Sequence, residues 1–114
     1  MKPYYMCKDW HSSEWWHKCR DYVKSRYGWR CCLCGCVSES VEVDHVLPYD
    51  NKRYSEDRKR EMFSAVGNMW VLCPRCHRQK TKVFDGLLNS KAYGLGAVPH
   101  VKGKIKKTLA ELLL

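Results

Sequence analysis

No apolar run in this 114-residue sequence approaches the ~18–20 residues that a bilayer-crossing helix requires. The first residues, Met1 to Glu14, hold no apolar stretch that could serve as a signal-peptide core. Membrane insertion and secretion are therefore not expected, and a cytoplasmic setting is. Internal repeats and low-complexity tracts are missing too, which leaves an ordinary globular chain. At this length one domain is expected, 1–114, and two separate cores would each be marginal without a staple.

Acidic residues are scarce, 12 against 21 Lys and Arg, for a formal net charge of +9. The imbalance is uneven. Residues 1–30 carry 7 basic and 3 acidic side chains, residues 31–67 carry 5 and 7, and residues 68–114 carry 9 and 2. Two basic flanks around a mildly acidic middle suggest a polyanion partner and a centre that uses carboxylates.

Cysteine, in contrast, is abundant: 8 residues. In a reducing compartment metal binding explains them better than disulfides do. Cys31-x-x-Cys34 and Cys73-x-x-Cys76 form two CxxC knuckles separated by 38 residues. Each lets two thiolates converge on one tetrahedral ion, and Gly35 relieves the turn after the first pair. Such a structural Zn²⁺ replaces part of the core that a short chain cannot build. Cys32 and Cys36 compete for places in the first knuckle. Cys7, His11, His17 and Cys19 offer a second, weaker set, with Cys19 better suited to core packing.

Local patterns place these residues. Ser12 or Ser13 caps a helix over about 13–27 that Gly28 ends. Val41–Asp44 alternates as a strand, and Pro48 closes that region. A short helix is expected from Ser55 to about Ala65, with Met62, Phe63 and Val66 as its inward face and Gly67 as its stop. Met69–Leu72 reads as a second strand. Pro74 opens a helix through about Phe84. Residues 85–103 contain Gly86, Gly94, Gly96, Gly103 and Pro99 and read as loop. In the tail, 104–114, Ile105, Leu109 and Leu112 share a helical face, with Leu113 and Leu114 adjoining. Packing on the same domain is the default there, and docking on a partner the lesser reading.

Between and beside the knuckles lie Val43-Asp44-His45-Val46-Leu47-Pro48, Asn68-Met69-Trp70-Val71-Leu72-Cys73 and Cys76-His77-Arg78-Gln79-Lys80-Thr81. The succession C-x-x-C-G, V-D-H-x-x-P and N-φ-x-x-L-C-x-x-C-H-x-x-K-T (φ apolar) resembles the zinc-containing HNH endonucleases. The resemblance covers about residues 29–82, within a core expected over 29–84. It implies a small α+β fold built on a ββα-metal (His-Me finger) motif, with the zinc knuckle pair and flanking helices. It also implies roles. His45 would be the general base, Asp44 and His77 would ligate a catalytic divalent cation, and Asn68 would hold the loop geometry. Arg78, Lys80 and Thr81 would contact DNA phosphates.

The chemistry suits phosphodiester hydrolysis, which needs a cation on the phosphate and a base for water. One carboxylate and one imidazole leave an open site for Mg²⁺ or Mn²⁺, with Ni²⁺, Co²⁺ or Zn²⁺ also admitted. The resemblance further implies DNA held mainly through its backbone, a 5′-phosphate and 3′-hydroxyl at the cut, and a bacterial or phage-infected cell. Phage genome processing or packaging machinery is the partner it brings into view. Asp44 and His45 are neighbours and should point to opposite faces of a strand, so a shared site demands that the chain leave strand geometry there. A zinc-stabilised nucleic-acid-binding module without catalysis, and a CxxC redox protein, are the rival classes.

Overall fold

A computed structural model describes residues 2–113, with the Leu113 side chain, like Leu114, outside the described residues. The first helix, α1 (Glu14–Arg26), begins where Ser13 caps it, its hydroxyl accepting the Trp16 N–H at 3.1 Å. It ends in two successive left-handed residues, Gly28 (φ 62°) and Trp29 (φ 57°). Glycine takes that conformation freely, whereas a tryptophan does so at a cost of about 1–2 kcal/mol. The turn aims the chain into the first knuckle.

Strand β1 (Glu42–His45) pairs antiparallel with β2 (Met69–Leu72), in the register Glu42–Leu72 through His45–Met69. Between them lies α2 (Glu56–Ser64), capped by Ser55 and burying Met62 and Phe63. Val66, expected on the same inward face, falls past the helix end in a 3₁₀ turn, Val66–Asn68, and is exposed. After β2, the helix α3 (Pro74–Lys80) starts with Pro74 in its first turn and Cys73 as its cap. A two-stranded sheet is marginal alone. Here both strands are covered: β2 is buried along its whole length, and α1 and α3 pack on the pair.

Past α3 the expected regular helix is not what forms. The chain widens into a π-helical turn, Thr81–Asp85, before the short α4 (Gly86–Leu88). The reason lies in what the wider turn brings inward, Phe84 and Asp85, as the site shows below.

The tail also differs from expectation. Helix α5 (Val98–Leu113) begins six residues earlier than the tail reading places it. Residues 98–103 are helical because Pro99 sits in the first turn, where its missing N–H costs nothing, and because Val98, Val101, Ile105 and Leu109 form one continuous buried stripe. The tail packs on the same core as the rest of the described residues.

The N-terminal aromatics, irregular in sequence, wind into two short 3₁₀ turns, Tyr4–Met6 and Trp10–Ser12. Tyr4, Trp10, Trp16 and Tyr49 surround Phe63 with ring centroids 4.8–5.2 Å away. Among the described residues no helix is long and apolar enough to cross a membrane. The stripe on α5 separates two outcomes in urea unfolding. Ile105→Ala, at a fully buried position, should cost about 2–5 kcal/mol, and Leu112→Ala, at an exposed one, should stay within about 0.5 kcal/mol.

Candidate metal centre and cavity

The four sulfurs of Cys31, Cys34, Cys73 and Cys76 lie within 4.8 Å of one another. Cys34 Sγ and Cys73 Sγ are 3.8 Å apart, which matches the roughly 3.8 Å edge of a tetrahedron with ~2.3 Å metal–sulfur bonds. Backbone N–H groups of Leu33 and Cys34 approach Cys31 Sγ at 3.4 Å, and that of Cys76 approaches Cys73 Sγ at the same distance. The donor set fits, so the four cysteines can hold a structural metal such as zinc.

The competition left open in the sequence resolves on Cys31 and Cys34. Cys32 turns away with its N–H on Val71 O at 2.7 Å, stitching the knuckle to β2, and Cys36 stays exposed. The second set does not assemble: Cys19 Sγ packs on Met69 at 3.7 Å, Cys7 lies on Pro3, and His17 is exposed.

The cage sits at one end of the sheet, and α3 runs back from it toward the other. That direction explains its contacts in order. His77 meets Glu42 and Asp44, and Lys80, almost one turn on, reaches Asp44 and the His45 carbonyl. At the far end Asp44, His45, His77, Asp85, Tyr49 and His11 help line a cavity of about 340 Å³.

Asp44 is nearly sealed from solvent. Its Oδ1 lies 3.2 Å from His77 Nε2, and its Oδ2 accepts the Trp70 indole N–H at 2.9 Å and pairs with Lys80 Nζ at 3.1 Å. Burial pushes its carboxyl up, but His77, Lys80 and Trp70 together outweigh burial and hold it below the ordinary carboxylate value. His77 is lifted to about 9, first by its hydrogen bond to Asp44, against burial, with Glu42 at 3.1 Å from Nδ1 adding to the lift.

His45 lies on the opposite face of β1. Its ring stacks between Trp16 and Phe63, at 5.3 and 5.2 Å, and its Nε2 bonds the Phe63 carbonyl at 2.8 Å. A carbonyl can only accept, so Nε2 carries the hydrogen and Nδ1 holds the free lone pair. Burial pulls this imidazole down to about 4, below the ordinary value that the sequence suggested, so the ring is neutral at pH 7.

The demand that the chain break strand geometry at Asp44–His45 is not met. Pairing continues through His45–Met69, and the two side chains do point oppositely. They share a cavity because it opens at the strand's end. The bend comes one residue later, where Asn68 takes over. Its carbonyl oxygen in the backbone receives the Val46 N–H at 2.8 Å, its Oδ1 receives the Leu47 N–H at 2.9 Å, and its Nδ2 donates to Leu47 O and Met62 O, both at 2.9 Å. Asn68 makes these bonds from a fully buried position.

Lys80 requires a correction. Expected to touch phosphate, it is 0% exposed, with Nζ 2.8 Å from His45 O and 2.7 Å from Asp85 Oδ1. On a helix, i+3 from half-buried His77 falls toward the core and i+4 toward solvent. Thr81 and Arg78 are accordingly exposed and line a neighbouring cleft with His77 and Lys82. Sequence reasoning missed Glu42, Asp85 and the cavity position of His11. Glu42 was findable, two residues before Asp44 on the same strand face. Asp85 was not, since only the π turn brings it round.

Compared with protein-family models, with curated proteins and with solved structures, the chain matches none.

Serine replacement separates the cysteines. Cys73→Ser should abolish stoichiometric zinc retention after dialysis, whereas Cys32→Ser and Cys36→Ser should each retain it, read by atomic absorption. In zinc-loaded protein without another cation, the His77 imidazole should titrate near 9 by NMR, and Asp44→Asn should return it toward 6.5. Because the folded value is the higher one, its stabilising contribution is complete below about 6.5 and fades as pH rises through about 9. A wild-type midpoint near 6.5 would show that Asp44 does not hold it.

Proposed function

We propose that this chain is a metal-dependent DNA endonuclease of the HNH, ββα-metal type, with zinc in the four-thiolate cage and a second divalent cation at Asp44 and His77. One observation carries the reading. A histidine with its tautomer fixed and its Nδ1 free opens on the same cavity as an imidazole–carboxylate pair 3.2 Å apart. Two neighbouring ligands of a six-coordinate cation with ~2.1 Å bonds stand about 3 Å apart, so the pair fits such an ion. The proton between His77 and Asp44 occupies the place the ion would take. The strand–strand–helix order of β1, β2 and α3 and the cage beside it agree with the motif the sequence resembles.

When bound, the cation supplies positive charge to the scissile phosphate and to the departing oxygen. The chain's own residues do the rest. His45 Nδ1 accepts a proton from the attacking water while Phe63 O keeps the ring from turning. Neutral at pH 7, the ring is ready to accept, although a base pulled down to about 4 is weaker than an ordinary histidine. His77 Nε2 and Asp44 Oδ1 would hold the ion, the proton between them passing to solvent, and Glu42 steadies the other nitrogen of His77.

DNA is held largely through its backbone. Arg78 and Thr81 border the site, and the basic flanks add salt-sensitive, sequence-independent affinity. Among the described residues no element stands out as a base reader, so sequence preference should be weak. The products would be a 5′-phosphate and a 3′-hydroxyl, and genome processing in a phage-infected cell is the setting this activity would serve.

Plasmid nicking with Mg²⁺ or Mn²⁺ tests the reading. His45→Ala, at zinc content matched to wild type, should lose about a hundred- to ten-thousandfold in rate. Equal nicking by both proteins, or none by either, would leave a zinc-stabilised nucleic-acid-binding module in its place.

A further inference from the structure

The two oxygens of Asp44 keep different company. Among the described residues, Oδ1 meets only His77 Nε2, at 3.2 Å, on the cavity side. Oδ2 receives the Trp70 indole N–H at 2.9 Å and lies 3.1 Å from Lys80 Nζ. Both partners are sealed from water, Lys80 at 0% and Trp70 at 1% exposure. Neither can swing away. Trp70 stands opposite Asp44 in the sheet register, and Lys80 is tied to His45 O at 2.8 Å and to Asp85 at 2.7 Å. The π turn makes that last contact: in a regular α-helix a residue five positions on would point roughly 140° away.

We propose that Lys80 and Trp70 set the cation specificity of the site. By engaging Oδ2 they restrict Asp44 to a single donor oxygen, Oδ1. Ca²⁺ takes six to eight oxygen ligands and readily uses both oxygens of a carboxylate, whereas Mg²⁺ and Mn²⁺ are content with one. The imidazole of His77 adds a nitrogen donor that Mn²⁺ tolerates better than Ca²⁺. A buried ammonium and an indole thus turn an ordinary aspartate into a site that discriminates against calcium. Asp85 offsets the ammonium's charge, so the site keeps a net attraction for cations. The inference rests on the reading of Asp44 and His77 as a cation site.

Calorimetric titration of the zinc-loaded chain with MnCl₂, MgCl₂ and CaCl₂ tests it, using wild type, Lys80→Met and Trp70→Phe. Wild type should bind Mn²⁺ more tightly than Ca²⁺. Lys80→Met should narrow that ratio by about tenfold, and Trp70→Phe should narrow it less, in the same direction. Trp70→Phe keeps a buried ring and decides the matter if Lys80→Met does not fold. Binding by wild type with an unchanged ratio in every variant that folds overturns this inference and leaves the nuclease reading intact. Binding of none of the three ions by wild type overturns the cation site itself and this inference with it.

Discussion

The buried amide of Asn68 is the joint on which the molecule turns. It ties together the exit of β1, the end of α2 and the start of β2 through hydrogen bonds to Leu47 and Met62. Three backbone groups that would otherwise be stranded in an apolar interior are satisfied by one side chain. Without it, Val46 and Leu47 have no reason to leave the sheet where they do, and the cavity at the strand's end has no wall. Because each of those bonds is buried, losing the amide strands several polar groups at once, which is far more costly than losing one exposed bond.

The rest of the architecture follows from smallness. A two-stranded sheet cannot hold itself, so α1 and α3 cover it along its length, and at one end four cysteines stand close enough to clamp it on a metal. The clamp also sets direction. Because Cys73 and Cys76 fix the start of α3, every side chain along that helix reaches a determined level of β1: His77 at Glu42 and Asp44, Lys80 at Asp44 and His45. The candidate metal site and the candidate reactive site are therefore two ends of one ruler.

Much of this was legible in the sequence. Caps at Ser13 and Ser55, the strands, the Pro74 helix start and the pairing of the knuckles all follow from local rules, because each depends on neighbours within a few residues or on spacing alone. What escaped depends on long-range packing. Helix pitch widened past Lys80 because Phe84 and Asp85 are drawn inward, and no periodicity announces that. The loop reading of residues 98–103 yielded to a buried stripe that only the assembled core rewards. A basic residue at an expected DNA contact proved to be interior, since sequence gives its charge but not the side of the helix that faces solvent.

Phe63 carries two duties at once: its ring is the hub of the aromatic cluster, and its carbonyl fixes the tautomer of His45. Ring sizes around the hub are consequently not free to vary one at a time. A smaller residue at Trp10 or Trp16 lets Phe63 settle and drags the imidazole's anchor with it. The amino-terminal aromatics are thus coupled to the position and tautomer of His45, and substitutions among them should prove epistatic with it instead of merely additive.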